Sequence, residues 1–417
     1  MSRGSLCLDR IPHQDGGLIA QRMGFTKDMP KERYTHVYFQ LNKIFCGFKD
    51  QASPHPGEKC KPDEQGSRLR YVILTQHVRL LQHELGASEN TFKERIRQTV
   101  VTILIQGQLY HSWEEARSHS ETFQFRSRTF RDQVFTGQGL DRYVLVAGKG
   151  DPWSHRVTMA RALLGLEHSL EISYVDEVIS KDGWRLVSPL DGYEYVYQMY
   201  LANDAEYTGR ISVPFVWDRL EQCIANNESA DILRMLNAYN IAYLNHDRAA
   251  DLYPKKRAKE IDGLNGYIQD EINNAVYKVG FSPTQEIYDK MLSQLYDALE
   301  NLDQHLSTQR YLSGPELCEA DLRLFATLVR FDIVYYPCLR CCKKRLQDFH
   351  HLWPYTKEIY QTPQIRPTVN FDAIRKMYFS LGFLNPSLII PAPTDIDFDS
   401  KVTSTEYMLY SAPFHSP

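Results

Sequence analysis

Chemistry is best served by the six residues Asp151, Pro152, Trp153, Ser154, His155 and Arg156. A short apolar run at 143–147 leads in, and the pattern Val157, Ala160, Arg161, Leu164 leads out. The stretch therefore reads as a strand-to-helix turn with Pro152 in the first helical turn, where a missing N–H is tolerated. Unbonded N–H groups and the positive end of the helix dipole favour an anion at such a place. Asp151 is itself a favoured N-cap, and its carboxylate could also act as a general base on a bound substrate.

Two later stretches offer recognition chemistry. Val213-Pro214 opens an apolar run ending at Trp217; it is either an ordinary Pro at the start of an edge strand or a cis bond. Asn227-Glu228-Ser229 directly precedes the helical pattern Ile232, Leu233, Leu236. Asn and Ser are good N-caps, so a plain capped helix is one reading. In the other, helix-start N–H groups and the Ser229 hydroxyl bind a carboxylate while Glu228 pairs with an ammonium. Cys338-Leu339-Arg340-Cys341, followed by Cys342, has no second pair or His at zinc spacing. Reduced structural thiols and no metal are expected there.

The elements that must carry these groups fall into two kinds. Strand, helix and strand are expected at 143–147, 153–164 and 170–175, one βαβ unit. An all-helical region follows from about Tyr253 to Ser380, in which Ile287, Met291, Leu295, Leu299, Leu302 and Leu306 repeat at helical spacing. Residues 36–41 alternate as a strand, 51–67 read as a loop, and Leu69, Val72, Ile73, Leu80 and Leu81 fit a helical face imperfectly.

At 417 residues and 43% hydrophobic content, the chain can bury a sizeable core in two or three domains. A net charge of −4 supplies no basic excess for nucleic acid, and no apolar run approaches the roughly 20 residues of a membrane helix. Residues 1–98 are locally basic, with 16 Lys/Arg against 11 Asp/Glu; they read as a packed extension or a docking arm for another protein. Eight irregularly spaced cysteines and no signal-peptide pattern point to a reducing, cytoplasmic address, an organellar one remaining open.

These motifs closely resemble those of the Xi-class, omega-like glutathione transferases, the glutathionyl-hydroquinone reductases. Their motif Cys-Pro-Trp-Ala-His-Arg is similar to residues 151–156, with Asp151 in place of the cysteine and Ser154 in place of the alanine. The resemblance runs from an opening hairpin near Leu104-Ile105-Gln106-Gly107-Gln108 and Trp113, past residues 123–130, to about Pro393. It includes Trp184, Leu252-Tyr253-Pro254, the Tyr277 block, a capping box in which Cys318 stands for Thr, and the block from Arg330 to Tyr335. The Cys318 change is expected to weaken that cap by about 1 kcal/mol.

The resemblance implies an α/β thioredoxin-like domain followed by an all-α helical domain, the glutathione transferase fold, behind an N-terminal extension. The boundaries expected are 1–98 (extension), 99–140 (hairpin and lead-in), 141–240 (glutathione-binding domain), 250–384 (helical domain) and 385–417 (tail). Glutathione is the implied co-substrate: Trp153 would pack beside its thiol, cis Val213-Pro214 would pair with its cysteinyl backbone, and Glu228 and Ser229 would hold its γ-glutamyl end. Tyr277, Tyr335 and Tyr378 would line an open pocket for a small aromatic hydroquinone. A homodimer is implied too.

In the family the cysteine thiolate attacks a glutathionylated quinol and forms a mixed disulfide. Asp151 cannot, so that step is expected to be lost. A carboxylate about 4 Å from a glutathione thiolate would also repel it by roughly 4 kcal/mol. Two alternatives stand beside this reading: serine-type conjugation using the Ser154 hydroxyl, and a non-catalytic scaffold subunit docking through residues 1–98.

Overall fold

In the computed structural model the described residues are 103–110 and 130–401, apart from 133, 136–138, 245–249, 283, 383 and 394. All belong to one unit of the chain, residues 72–417. The strand expected at 36–41, the loop at 51–67, the helical face at 69–81, Trp113, residues 123–129 and the docking role of residues 1–98 lie outside the described residues.

The first half is an α/β domain. Strand β1 (Ile103–Ile105) turns into β2 (Gln108–Tyr110), then come β3 (Tyr143–Gly148), α1 (Pro152–Leu163), β4 (Glu171–Val175), β5 (Arg185–Leu190) and β6 (Tyr193–Tyr195). Helix α2 (Val196–Asn203), β7 (Gly209–Arg210), β8 (Phe215–Asp218), β9 (Cys223–Asn226) and α3 (Ser229–Tyr239) complete it. The main sheet has the order β6-β5-β4-β3-β8-β9. Only β3 and β4 pair in parallel, Val144 opposite Glu171 and Gly148 opposite Val175, the geometry that a crossover helix allows. A smaller sheet, β2-β1-β7, ties the opening hairpin to this domain.

Strand β3 is buried along its whole length, and its two faces enter different cores. Leu145 and Ala147 pack with Val157, Ala160, Ile232 and Leu236 of α1 and α3. Val144 and Val146 pack with Val196, Met199, Phe215 and Trp217 on the α2 side. The two-residue period of a strand produces that division.

The second half is helical: α4 (Ala258–Ile268), α5 (Ala275–Gly280), α6 (Gln285–His305), α7 (Glu319–Arg330), α8 (Leu352–Tyr360) and α9 (Phe371–Phe379). Single π-helical turns follow α4 at Gln269–Asn273 and α7 at Phe331–Tyr335. All twelve residues of α7 are buried, as expected of a helix enclosed on every side, and it packs directly against α1. At its N-terminus Asp321 Oδ2 accepts the Cys318 N–H at 2.8 Å, the reciprocal bond of a capping box.

Part of the stretch from 385, expected as a tail, is anchored on the helical domain through Phe398 and Ser400. Phe398 is 5% exposed and sits 5.1–5.2 Å, centroid to centroid, from Trp353, Tyr360 and Phe371. Gln361 Nε2 donates to the carbonyls of Phe398 and Ser400.

Candidate functional site

The loop from β3 into α1 carries Asp151 as the helix N-cap, its Oδ2 accepting the Ser154 N–H at 2.5 Å. Glycines let other elements close on this loop. A Cβ on Gly150 would lie 2.7 Å from the Ala373 carbonyl and 2.9 Å from Met377 Cβ, so α9 could not approach a larger residue there. A Cβ on Gly148 would be 3.3 Å from Asp151 Cβ and 3.5 Å from Val213 Cγ2, so both residues border Gly148. The Val213–Pro214 bond is cis, the second of the two readings above.

Asp151 is buried. Burial pushes its carboxyl up to about 6 from an ordinary 3.8, opposed by the bonds to Ser154 and by the charges of Arg330 and Arg156. The helix start favours the anion, and removal from water outweighs it.

Ser154 is turned into the protein. Its side chain is fully buried and its Oγ accepts the Gly148 N–H at 3.0 Å, closing the end of β3 onto α1. The serine-type alternative would need that enclosed hydroxyl to donate to a sulfur from beneath the loop, and the burial does not favour it.

At the start of α3 the capping differs from expectation. Glu228 is the N-cap, its Oε1 accepting the Ala230 N–H at 3.1 Å, because its neighbours are engaged elsewhere. Asn227 Oδ1 accepts the Phe130 N–H, and Ser229 Oγ accepts from Arg156 Nε at 3.1 Å and Nη2 at 2.5 Å. Arg156 also approaches Glu228 at 3.5 Å and lies over the Trp153 ring at 4.9 Å. Its guanidinium is held down to about 9, chiefly by burial and next by the charge of Arg323, and remains a cation at neutral pH.

The three tyrosines come together, though not as an open pocket. Tyr277 Oη lies 2.6 Å from Tyr378 Oη and 3.4 Å from Tyr335 Oη, and the latter two are 3.1 Å apart. Tyr335 and Tyr378 are buried, 0% and 2% exposed, so their hydroxyls satisfy one another, as enclosed phenols must. Burial raises all three above the ordinary phenol range. Only Tyr277 reaches the cleft between the domains. That cleft is walled by Pro152, Trp153 and Arg156 of α1, by Asn273 and Tyr277, and by Arg323, Ala326 and Thr327 of α7.

Two arginines of α7, Arg323 and Arg330, were given no site role from sequence. Arg330 is fully buried and clamps the Asp151 loop, with Nε donating to the Gly150 carbonyl at 3.1 Å and Nη1 to His155 Nδ1 at 3.1 Å. His155 lies well below its ordinary pKa, from burial and then the Arg330 charge, so the ring is neutral. With Nδ1 accepting, its proton is on Nε2 and is donated to Thr368 Oγ1 at 3.0 Å. Arg323 and Arg330 stand seven residues apart, on one face of a helix whose other charged residues, Glu319 and Asp321, lie in its first turn; that spacing is the signal that could have found them.

Cys338 and Cys341 are buried, Cys342 is exposed, and none is in a disulfide. Burial pushes the Cys338 thiol up to about 11. Among the described residues no cluster of three or more His, Cys, Asp or Glu could hold a metal.

A βαβ-containing sheet domain followed by a helical domain, with a cleft at the start of α1, defines a glutathione transferase class of protein. Residues 152–238 match the family description "Glutathione S-transferase, N-terminal domain", and residues 285–358 match "Glutathione S-transferase, C-terminal domain". The glutathionyl-hydroquinone reductase YqjG of Escherichia coli strain K12 is 39% identical over 308 residues, which is 69% of this chain and 93% of that protein. Its glutathione-bound structure superimposes with a TM-score of 0.62 at 38% identity, over 72% of this chain and 97% of that one. A Xi-class transferase from Natrialba magadii gives a TM-score of 0.66 at 33% identity, covering 72% and 95%. The chain belongs to the Xi-class, omega-like glutathione transferases, the family of the glutathionyl-hydroquinone reductases.

Proposed function

We propose that this protein binds glutathione, or the glutathione conjugate of a small aromatic molecule, in the cleft at the start of α1, and that thiol–disulfide exchange is not the chemistry of the cleft. The observation carrying this reading is Asp151: a buried, N-capping carboxylate at the place where the resemblance implies a cysteine. A carboxylate forms no mixed disulfide.

Binding is supported by how the remaining groups converge. Val213, which borders Gly148 as Asp151 does, would offer its backbone to the cysteinyl unit. Ser229 already accepts from Arg156, so its own O–H is the part left to donate to the γ-glutamyl carboxylate. One Glu228 oxygen holds the Ala230 N–H, and the other would take the ammonium. Trp153 would flank the sulfur. Asp151, ionised above about pH 6, would disfavour a thiolate beside it by roughly 4 kcal/mol at about 4 Å; the bound form is then the neutral thiol or an S-substituted conjugate. In this reading residues 141–240 are the glutathione-binding domain, 250–384 the helical wall, and the protein is a cytoplasmic homodimer. The buried Ser154 hydroxyl gives serine-type conjugation no support.

The test is calorimetric titration with glutathione and S-substituted glutathiones, beside a reductase assay on glutathionyl-hydroquinones. Glutathione is expected to bind, Ser229→Ala to weaken it by about tenfold, the loss of one hydrogen bond to a charged group, and reductase turnover to stay at background. Robust turnover in a variant lacking the other cysteines would overturn the loss of exchange chemistry; unchanged affinity in Ser229→Ala would overturn the carboxylate assignment.

A further inference from the structure

We propose that the cleft between α1 and α7 takes an aromatic group bearing an anionic substituent, whose charge is held between Arg156 and Arg323. The preferred ligand is then a glutathione conjugate of an aryl carboxylate. This inference rests on the glutathione-binding reading and deepens it by naming the class of the second group.

Arg156 of α1 and Arg323 of α7 both line the cleft, and both are more than nine-tenths buried, 3% and 7% exposed. Arg323 is under-satisfied. Its Nε has no hydrogen-bond partner among the described residues, and its acidic neighbour Glu319 stands 3.6 Å away. Glu319 is already engaged, accepting from Arg234 Nη2 at 2.8 Å and Asn265 Nδ2 at 2.5 Å. Arg156 is firmly bonded only to the neutral Ser229; its reach to Glu228 and to Gln269 Oε1 is 3.5 Å in both cases.

Two buried cations facing one cleft repel each other, and burial with that mutual repulsion holds the Arg156 guanidinium down to about 9. An anion between them would reverse the repulsion into attraction, and a planar carboxylate matches the donor fork of a guanidinium. Trp153 and Tyr277, on the same walls, supply flat apolar faces for a ring. Glutathione's own γ-glutamyl end is assigned to Glu228 and Ser229 at the start of α3, which Arg156 already touches, so Arg323 on α7 is the cation left for the group attached to sulfur.

The experiment compares S-benzylglutathione with S-(4-carboxybenzyl)glutathione by calorimetry at pH 7.5 on the full chain, in the wild type, Arg323→Gln and Arg323→Lys. The carboxylated conjugate is expected to bind the wild type about tenfold tighter or better, as for a charge-assisted hydrogen bond. Arg323→Gln should bring the two within about twofold by weakening the carboxylated conjugate the more, and Arg323→Lys should keep part of the preference. Equal or reversed affinities in the wild type overturn the inference, and that comparison needs no variant to fold. Equal weakening of both conjugates in Arg323→Gln also overturns it, by assigning Arg323 to glutathione itself. If glutathione and S-benzylglutathione bind and the carboxylate adds nothing, the inference alone fails; if no glutathione compound binds, the reading beneath it fails as well.

Discussion

Asp151→Asn isolates the charge at the centre of the site while keeping its geometry. Asn is as good an N-cap as Asp, and its Oδ1 can still accept the Ser154 N–H that Asp151 Oδ2 accepts at 2.5 Å. In the wild type the folded carboxyl titrates near 6 instead of 3.8. Because the folded-state value is the higher one, the favourable contribution is fully present below about pH 3.8 and is lost as pH rises through about 6. The gap corresponds to about 3 kcal/mol at neutral pH, of which about 1 kcal/mol develops between pH 5 and 7.5. The variant has no such titration, so its melting temperature relative to wild type should climb across that interval. At about 2 °C per kcal/mol for a domain this large, the climb is about 2–3 °C. His155, neutral and depressed by burial, lowers stability as pH falls below 6.5; it does so in both proteins and cancels in the difference. Paired thermal melts from pH 4.5 to 8 make the measurement. A flat difference, or a variant whose deficit grows with pH, would refute the claim that burial outweighs the helix start and the two arginines at Asp151.

Three further outcomes are expected. Asp151→Cys should gain glutathionyl-hydroquinone reductase activity in a coupled thiol-release assay; a variant that folds and binds glutathione yet stays inactive would show that the aromatic side of the cleft does not accept a quinol. Ser154→Ala should cost about 1 kcal/mol in chemical denaturation, from the lost bond to the Gly148 N–H, and leave glutathione affinity as it was; an affinity loss of tenfold would return the hydroxyl to the ligand. Phe398→Ala should destabilise the helical domain by about 3–5 kcal/mol, since the ring packs on Trp353, Tyr360 and Phe371, and a change under 1 kcal/mol would mean that residues beyond 385 add nothing to its core.

Local pattern carried the sheet domain well and the site's long-range wiring poorly. The strand expected at 143–147 extends one residue further because Gly148 still pairs with Val175. The helix expected from Trp153 starts at Pro152, an N1 position that needs no N–H. By contrast, the choice of Glu228 over Asn227 or Ser229 as the cap follows from partners far away in sequence, Phe130 and Arg156; no spacing rule contains them. The same holds for the tyrosines, whose positions were legible while their mutual hydrogen bonds depend on how α5, α9 and the turn after α7 converge. The roles of Arg323 and Arg330 were not legible because an enclosed helix with charged residues breaks the usual pattern of one polar face. The stretch from 385, expected as a tail, is held by contacts distant in sequence, Phe398 among the aromatics of α8 and α9 and the Gln361 amide on the carbonyls of Phe398 and Ser400.

What Asp151 retains and what it gives up follow from two opposed forces at one place. The start of α1 supplies N–H groups and a dipole that favour an anion, typically by up to about 2 kcal/mol, and Arg330 and Arg156 add to this. Enclosure by Val213, α9 and the tyrosine cluster removes water and works against any charge there. For the carboxylate, enclosure wins, since its pKa rises. A thiol placed in the same surroundings would feel the same two forces, because burial in apolar surroundings raises a cysteine pKa as a helix start lowers it. The pH dependence of the Asp151→Cys variant would therefore report which force the loop was built around. Activity that persists below pH 7 would mean that the helix start and arginines dominate once a ligand fills the cleft. Activity confined to alkaline pH would mean that the loop, clamped by Arg330 and pressed by α9, favours an uncharged group at position 151, and that the protein's present role rests on holding its ligand.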